Sequence, residues 1–118
     1  MSDRRKRAEG RGRRGETLAA WYFRLRGWRV LAQRVKTPRG EVDLVVRKGR
    51  KVVFVEVKWR STVRERDRAI DDYRLRRVAA AVEAVAHRFA GDGDEMRIDV
   101  LLLAPGKWPR HIVNAWMP

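Results

Sequence analysis

Apolar positions along this chain recur with two periods, and each change of period marks a new element. Leu18, Ala19, Tyr22 and Leu25, with Trp21 beside them, follow helical spacing and stop at Gly27, which predicts a first helix over Gly15–Arg26. Trp28–Lys36 reads as a strand with Val30 and Leu31 inside, and Pro38-Arg39-Gly40 as a turn. Glu41–Arg47 and Lys51–Trp59 are two further strands joined by a hairpin loop at Lys48-Gly49-Arg50. The second of them is the most strand-like stretch of the chain, carrying Val52, Val53, Phe54, Val55 and Val57. Ser61–Arg68 is polar and reads as a loop.

A long helix follows and ends before Gly91. Its apolar stripe is Leu75, Val78, Ala79, Val82, Val85, Ala86 and Phe89. After the turn Asp92-Gly93-Asp94, Met96–Leu103 reads as a buried strand. Pro105-Gly106 turns the chain, and His111–Trp116 forms a short last strand. The order α-β-β-β-α-β-β predicts an α/β fold, a mixed central β-sheet flanked by helices.

Polar residues inside the strands carry the candidate chemistry. Strand side chains alternate faces, so Glu56 and Lys58 share one face while Val55 and Val57 share the other. In the preceding strand, Glu41 and Asp43 are expected on one face and Val42 and Leu44 on the other. The hairpin then makes Asp43 a neighbour of Glu56. Two close carboxylates repel, and a hard divalent cation such as Mg²⁺ or Mn²⁺ relieves that repulsion. Such an ion favours metal-assisted phosphodiester hydrolysis, with the Lys58 ammonium placed to hold water or phosphate. The plainer reading of Glu56 and Lys58 is a partly buried ion pair on a sheet face.

Charge narrows the class. Lys and Arg number 29 against 15 Asp and Glu, giving +14 over 118 residues. Such a surface captures polyanions. A ribosomal-type binder or an anionic membrane surface suits the same balance, and a GC-rich genome raises Arg content without a functional cause. Residues 1–14 read as a basic tail, disordered when free: Arg4, Arg5, Lys6, Arg7, Arg11, Arg13 and Arg14 stand against Asp3 and Glu9. Such a tail either solubilises or grips DNA. Residues 15–118 read as one domain, 44% of the whole chain being hydrophobic.

Absent features exclude other classes. There is no cysteine, hence no disulfide framework or thiolate metal site, which suits a reducing cytoplasm. No apolar run reaches membrane-spanning length, so no membrane role is expected. The start has no secretory h-region. His87 and His111 lack a partner at zinc-site spacing and read as structural or surface residues. The five tryptophans, at 21, 28, 59, 108 and 116, serve either packing or base stacking, with Trp59 and Trp108 the candidates for stacking.

Several ordered blocks then carry a resemblance. Gly15-Glu16 with Ala19-Ala20, Gly40-Glu41-Val42-Asp43-Leu44-Val45, and Val53-Phe54-Val55-Glu56-Val57-Lys58 with Arg60 are three of them. Arg76-Arg77-Val78, Arg97-Ile98-Asp99-Val100 and Asn114-Ala115-Trp116 complete the set. From Gly12 to Trp116 the chain resembles the YraN family of small bacterial proteins, related to restriction-endonuclease-like nucleases and archaeal Holliday-junction resolvases. The resemblance implies a restriction-endonuclease-like core with an acid-acid-Lys centre at Asp43, Glu56 and Lys58. It implies Mg²⁺ or Mn²⁺ held by Asp43 and Glu56, with Glu16 either reaching the metal from the first helix or only facing the helix dipole. Glu41 is then either a supporting group behind the ligands or a gate that repels phosphate. Arg60, Arg74, Arg76, Arg77 and the basic tail are the expected nucleic-acid contacts.

Three positions depart from the family pattern: Arg74 stands where Lys is usual, Val35 where Asn is frequent, and Trp59 where a small hydroxyl residue is usual. Arg74 keeps the charge but is no deprotonatable base. The implied partner is DNA, branched or duplex, with RNA as an alternative, and resolvase relatives suggest a homodimer. Three functions follow: a structure-directed DNA nuclease, a DNA-binding module that keeps the fold without turnover, and a basic assembly protein that binds protein or structured RNA.

Overall fold

A hairpin organises the centre of the molecule. The computed structural model describes residues 15–62, 64 and 72–116, so the basic tail and most of the expected 61–68 loop lie outside the described residues. Strand β2 (Gly40–Lys48) and strand β3 (Lys51–Trp59) pair antiparallel from Lys48↔Lys51 to Leu44↔Val55. Gly49 makes their two-residue connection possible with φ +60°, a conformation that costs glycine little. Strand β1 (Arg29–Thr37) pairs antiparallel with β2. Helix α1 occupies residues 15–25 and ends in a turn closed by Gly27. Helix α2 (Asp72–Phe89) carries the chain across the sheet to strand β4 (Glu95–Leu103), parallel to β3 along its whole length. A parallel neighbour requires such a crossover. Strand β5 (Arg110–Ile112) closes the sheet, whose order is β1-β2-β3-β4-β5. This is the expected mixed sheet flanked by helices, in the expected order.

Apolar cores form on both faces of the sheet. Under α2 lie Val42, Val45, Val52, Phe54 and Ile98 with Val78, Ala81, Val82 and Val85 of the helix. Under α1 lie Leu44, Val46, Val53, Val55, Leu101 and Leu103 with Ala19, Ala20 and Phe23. Phe23 and Phe54 are fully buried, each worth about 1.5–3 kcal/mol of hydrophobic stabilisation.

Three expectations need correcting. In α1 the buried face is Ala19, Ala20 and Phe23, whereas Leu18, Trp21 and Leu25 are exposed. Both sets have helical spacing, and the small alanines win because they let the helix sit close on the sheet. Val42 and Leu44 do not share a face: Val42 packs under α2 and Leu44 under α1. The cause is a break in the pleat. The β1–β2 register runs from Gln33↔Leu44 to Val35↔Val42, stepping over Arg34 and Asp43, and Arg34 has φ +52°. A second irregularity lies between Val30 and Ala32. Finally, β5 stops at Ile112 rather than Trp116, because Asn114 turns the chain with φ +53°. Among the described residues, no helix is long and apolar enough to cross a membrane.

Candidate active site

The broken pleat is what gathers the acids. Glu41 and Asp43 come from β2, and Glu16 from the first turn of α1. Each offers a carboxylate oxygen, and the three oxygens lie within 4.8 Å of one another. Arg34 pairs with Glu16 through Nε, from the residue whose left-handed backbone interrupts β1. Glu16 and Glu41 also raise the Arg34 pKa from its already high value.

Glu41 is exposed and Glu16 half-buried, as is Asp43. Its Oδ2 accepts a hydrogen bond from the Val57 backbone N–H at 2.8 Å. Burial, and then the neighbouring Glu56 carboxylate, push its carboxyl up to about 8, against the opposing pull of the Val57 N–H and the Lys58 ammonium. A buried carboxyl facing a second carboxylate ionises reluctantly, and a cation beside it would favour its charged form.

Glu56 and Lys58 stand on the α2 side of β3, as alternation predicts. Lys58 Nζ lies 2.7 Å from Glu56 Oε1. Both line a cleft of about 310 Å³ with Gly40, Glu41, Asp43, Arg74, Arg77 and Val78. Gly40 has φ +144°, and a Cβ there would meet the Ala81 side chain at 3.6 Å, so the β1–β2 turn sits directly on α2.

The structure thus brings Asp43, Glu56, Lys58, Glu41, Arg74 and Arg77 to one cleft and Glu16 to its carboxylate edge. Glu41 belongs to the close carboxylate group, and Glu56 stands outside that group with Lys58 as its partner. Arg76 is exposed and does not line the cleft. Arg60 turns back on β3, its Nη1 donating to the Trp59 carbonyl at 2.8 Å. Arg4, Arg5, Lys6, Arg7, Arg13 and Arg14 lie outside the described residues.

The oxygen donors fit a hard divalent cation. Carboxylates are the ligand type that Mg²⁺ and Mn²⁺ select, and several cluster here in a cleft that also carries Lys58, Arg74 and Arg77.

A second polar centre was not singled out from sequence. Asp99 of β4 is fully buried beneath α1. It accepts two hydrogen bonds from Arg97 at 3.0 and 3.2 Å, and one from the Asn114 N–H at 2.8 Å. It also lies 2.7 Å from His111 Nε2, while His111 Nδ1 lies 3.1 Å from the Tyr22 hydroxyl. The only available signal was an acid in the middle of an otherwise apolar strand, Ile98-Asp99-Val100. His111 is therefore structural, as its lack of a zinc-spaced partner suggested.

Comparison with known proteins finds a family model and relatives that span these residues. The model of a family described as "Uncharacterised protein family UPF0102" matches residues 15–103, a span that includes every cleft residue. A UPF0102 protein of Erythrobacter litoralis is 64% identical over 98% of this chain and 99% of its own length. One of Sphingopyxis alaskensis is 60% identical over 94% of this chain and 96% of its own. One of Parvibaculum lavamentivorans is 44% identical over 91% of this chain and 81% of its own.

Proposed function

We propose, from the premise that this chain belongs to the uncharacterised protein family UPF0102, that it is a nucleic-acid-binding phosphodiesterase that cuts DNA with a divalent metal ion. The observation that carries this reading is the juxtaposition of three carboxylate oxygens within 4.8 Å with a cleft that also holds Glu56, Lys58, Arg74 and Arg77. Acids that repel phosphate have no use on a pure DNA-binding surface, whereas a cation between them turns the repulsion into attraction. Asp43, with Glu16 and Glu41 or with Glu56, would hold Mg²⁺ or Mn²⁺.

When bound, such an ion supplies Lewis acidity toward a phosphodiester. The rest of the work belongs to the chain. The Val57 N–H fixes the Asp43 carboxylate, so the site is set by backbone rather than by a mobile rotamer. Lys58 holds Glu56 in place and offers its remaining N–H donors to a phosphate oxygen or to water. Arg74 and Arg77, one turn apart on α2, face the same cleft and suit bidentate contact with the strand to be cut.

Cleavage of linear, flapped, gapped and four-way DNA with Mg²⁺ and Mn²⁺, run beside Asp43→Ala, tests this reading. Metal-dependent cutting that vanishes in the variant is expected. Equal cutting by Asp43→Ala, or none by the wild type on every substrate, would overturn it. One observation favours a second reading, a binding module without turnover. Arg34 pairs with Glu16 and Lys58 with Glu56, so two of the four acids already have internal counter-charges. Calorimetry that finds no Mn²⁺ binding, together with salt-sensitive DNA binding, would favour the module.

A further inference from the structure

Helix α1 turns two different surfaces to solvent-facing parts of the molecule. Its first turn delivers Glu16 to the carboxylates, and the next turns carry Trp21 and Tyr22 into a groove of about 480 Å³. The far wall of that groove is Trp108 with Lys107, and its floor includes Trp59, the residue after Lys58. Trp21 is 54% exposed, Leu25 79% and Trp108 87%, an apolar surface that folding alone leaves open.

Charge decides what covers it. Arg26 and Lys107 line the groove, and no carboxylate does. The Arg26 guanidinium lies 3.7 Å from the centre of the Tyr22 ring, and that of Arg24 5.5 Å from the Trp21 ring. Aromatic faces interleaved with fixed cations match a strand whose bases stack and whose backbone is anionic. A second copy of this chain would bring +14 against +14, with no acid on this surface to offset it. Duplex DNA keeps its base faces stacked inside and cannot use the rings.

We infer that the groove between α1 and the segment around Trp108 binds unpaired nucleotides of the DNA whose backbone occupies the carboxylate cleft. This rests on the phosphodiesterase reading and adds the substrate class: DNA with a single-stranded arm or end next to the cut. The spacing is consistent. Glu16 and Trp21 are separated by about 8 Å along the helix axis, at 1.5 Å per residue. That distance is within reach of a few nucleotides, so one strand can run from the cleft into the groove. Trp59 links the two surfaces, because it leaves β3 on the face opposite Lys58 and packs toward α1.

The test is binding of oligodeoxythymidylate and of a blunt duplex of equal charge, both in EDTA, by full-length wild type, Trp108→Ala and Trp21→Ala/Trp108→Ala. Removing metal and turnover separates this inference from the phosphodiesterase reading. Both substituted side chains are largely exposed, and circular dichroism and Mn²⁺ calorimetry verify that fold and cleft persist. The double variant is expected to lose about five- to hundredfold in affinity for the single strand, the range for a lost base stack, with duplex affinity unchanged. Trp108→Phe should recover much of the loss. Unchanged single-strand affinity in the double variant would overturn the inference. So would an equal loss for duplex, or a wild-type dimer that the double variant dissociates without loss of single-strand binding, which would assign the groove to a protein interface. Strong single-strand binding by a wild type that cuts nothing would uphold the groove and overturn only the phosphodiesterase reading.

Discussion

Asp43 Oδ2 accepts the Val57 N–H at 2.8 Å, just beyond Leu44↔Val55, where the regular β2–β3 pairing stops. A side chain thus takes over from the backbone where β2 parts from β3 while staying paired with β1. The acid is fixed to the strand that carries Glu56 and Lys58, while its other oxygen remains available to the cleft. The same contact holds a carboxyl in a crowded, half-buried place where ionisation is unfavourable.

That crowding gives the first prediction. Asp43 has a folded pKa of about 8, pushed up by burial and then by Glu56. Its unfolded value is about 3.9. Between these limits the folded state binds more protons, so the metal-free protein loses stability as pH rises from about 4 through 8. Asp43→Asn should remove that loss and melt a few degrees higher than the wild type at about pH 8 in EDTA. Added Mn²⁺ should raise the wild-type melting temperature and leave the variant unchanged. A variant that melts lower than the wild type at that pH would show that the carboxylate is a structural asset.

Lys58 separates catalysis from charge pairing. Lys58→Met should lower single-turnover cleavage by roughly 10²–10³-fold, the scale of one electrostatic donor at a transition state. DNA affinity should fall only slightly, since one contact among many is lost. A folded Lys58→Met protein that cuts at the wild-type rate would reduce Lys58 to the partner of Glu56.

Gly40 probes the backbone beneath the cleft. At φ +144° any side chain is strained, and a Cβ would sit 3.6 Å from Ala81 and 3.8 Å from the Arg77 carbonyl. Gly40→Ala should cost about 1–3 kcal/mol in chemical denaturation, chiefly from the φ angle, because those contacts are of ordinary length. A loss below a few tenths would mean that the turn relaxes freely.

Acid should expose the Asp99 centre. Burial pushes its carboxyl up, but hydrogen bonds from His111, Arg97 and the Asn114 N–H outweigh that and hold it below the usual range. The stability it adds is therefore complete above about pH 4 and is lost as pH falls through the lower folded value. Asp99→Asn leaves Arg97 without its buried counter-charge and should cost about 3–5 kcal/mol at neutral pH. It should also flatten the acid limb of the stability profile. Parallel acid limbs in wild type and variant would assign acid unfolding to other carboxylates.

Periodicity made most of this architecture legible. The hairpin at Gly49, the amphipathic stripe from Leu75 to Phe89 and the alternation of Val55, Glu56, Val57 and Lys58 are local patterns, and local patterns specify local structure. Leu18 and Leu25 misled because hydrophobicity ranks them above Ala19 and Ala20, whereas close packing of a helix on a sheet ranks them below. The face reversal between Val42 and Leu44 depends on Arg34, an ordinary arginine whose left-handed backbone leaves no mark in composition. Asp99 escaped notice because His111 and the Asn114 N–H, 12 and 15 residues away, reach it only in the folded chain.

The Tyr22–His111 contact, 89 residues apart in sequence, has a consequence for synthesis. The sheet's central hairpin can form as soon as β3 has been made, but the underside of α1 stays open until β5 arrives with His111. Loops of that length close slowly and late. While the ribosome is still adding residues, the strongly basic N-terminal half is outside the tunnel with its second core unsealed, next to ribosomal RNA.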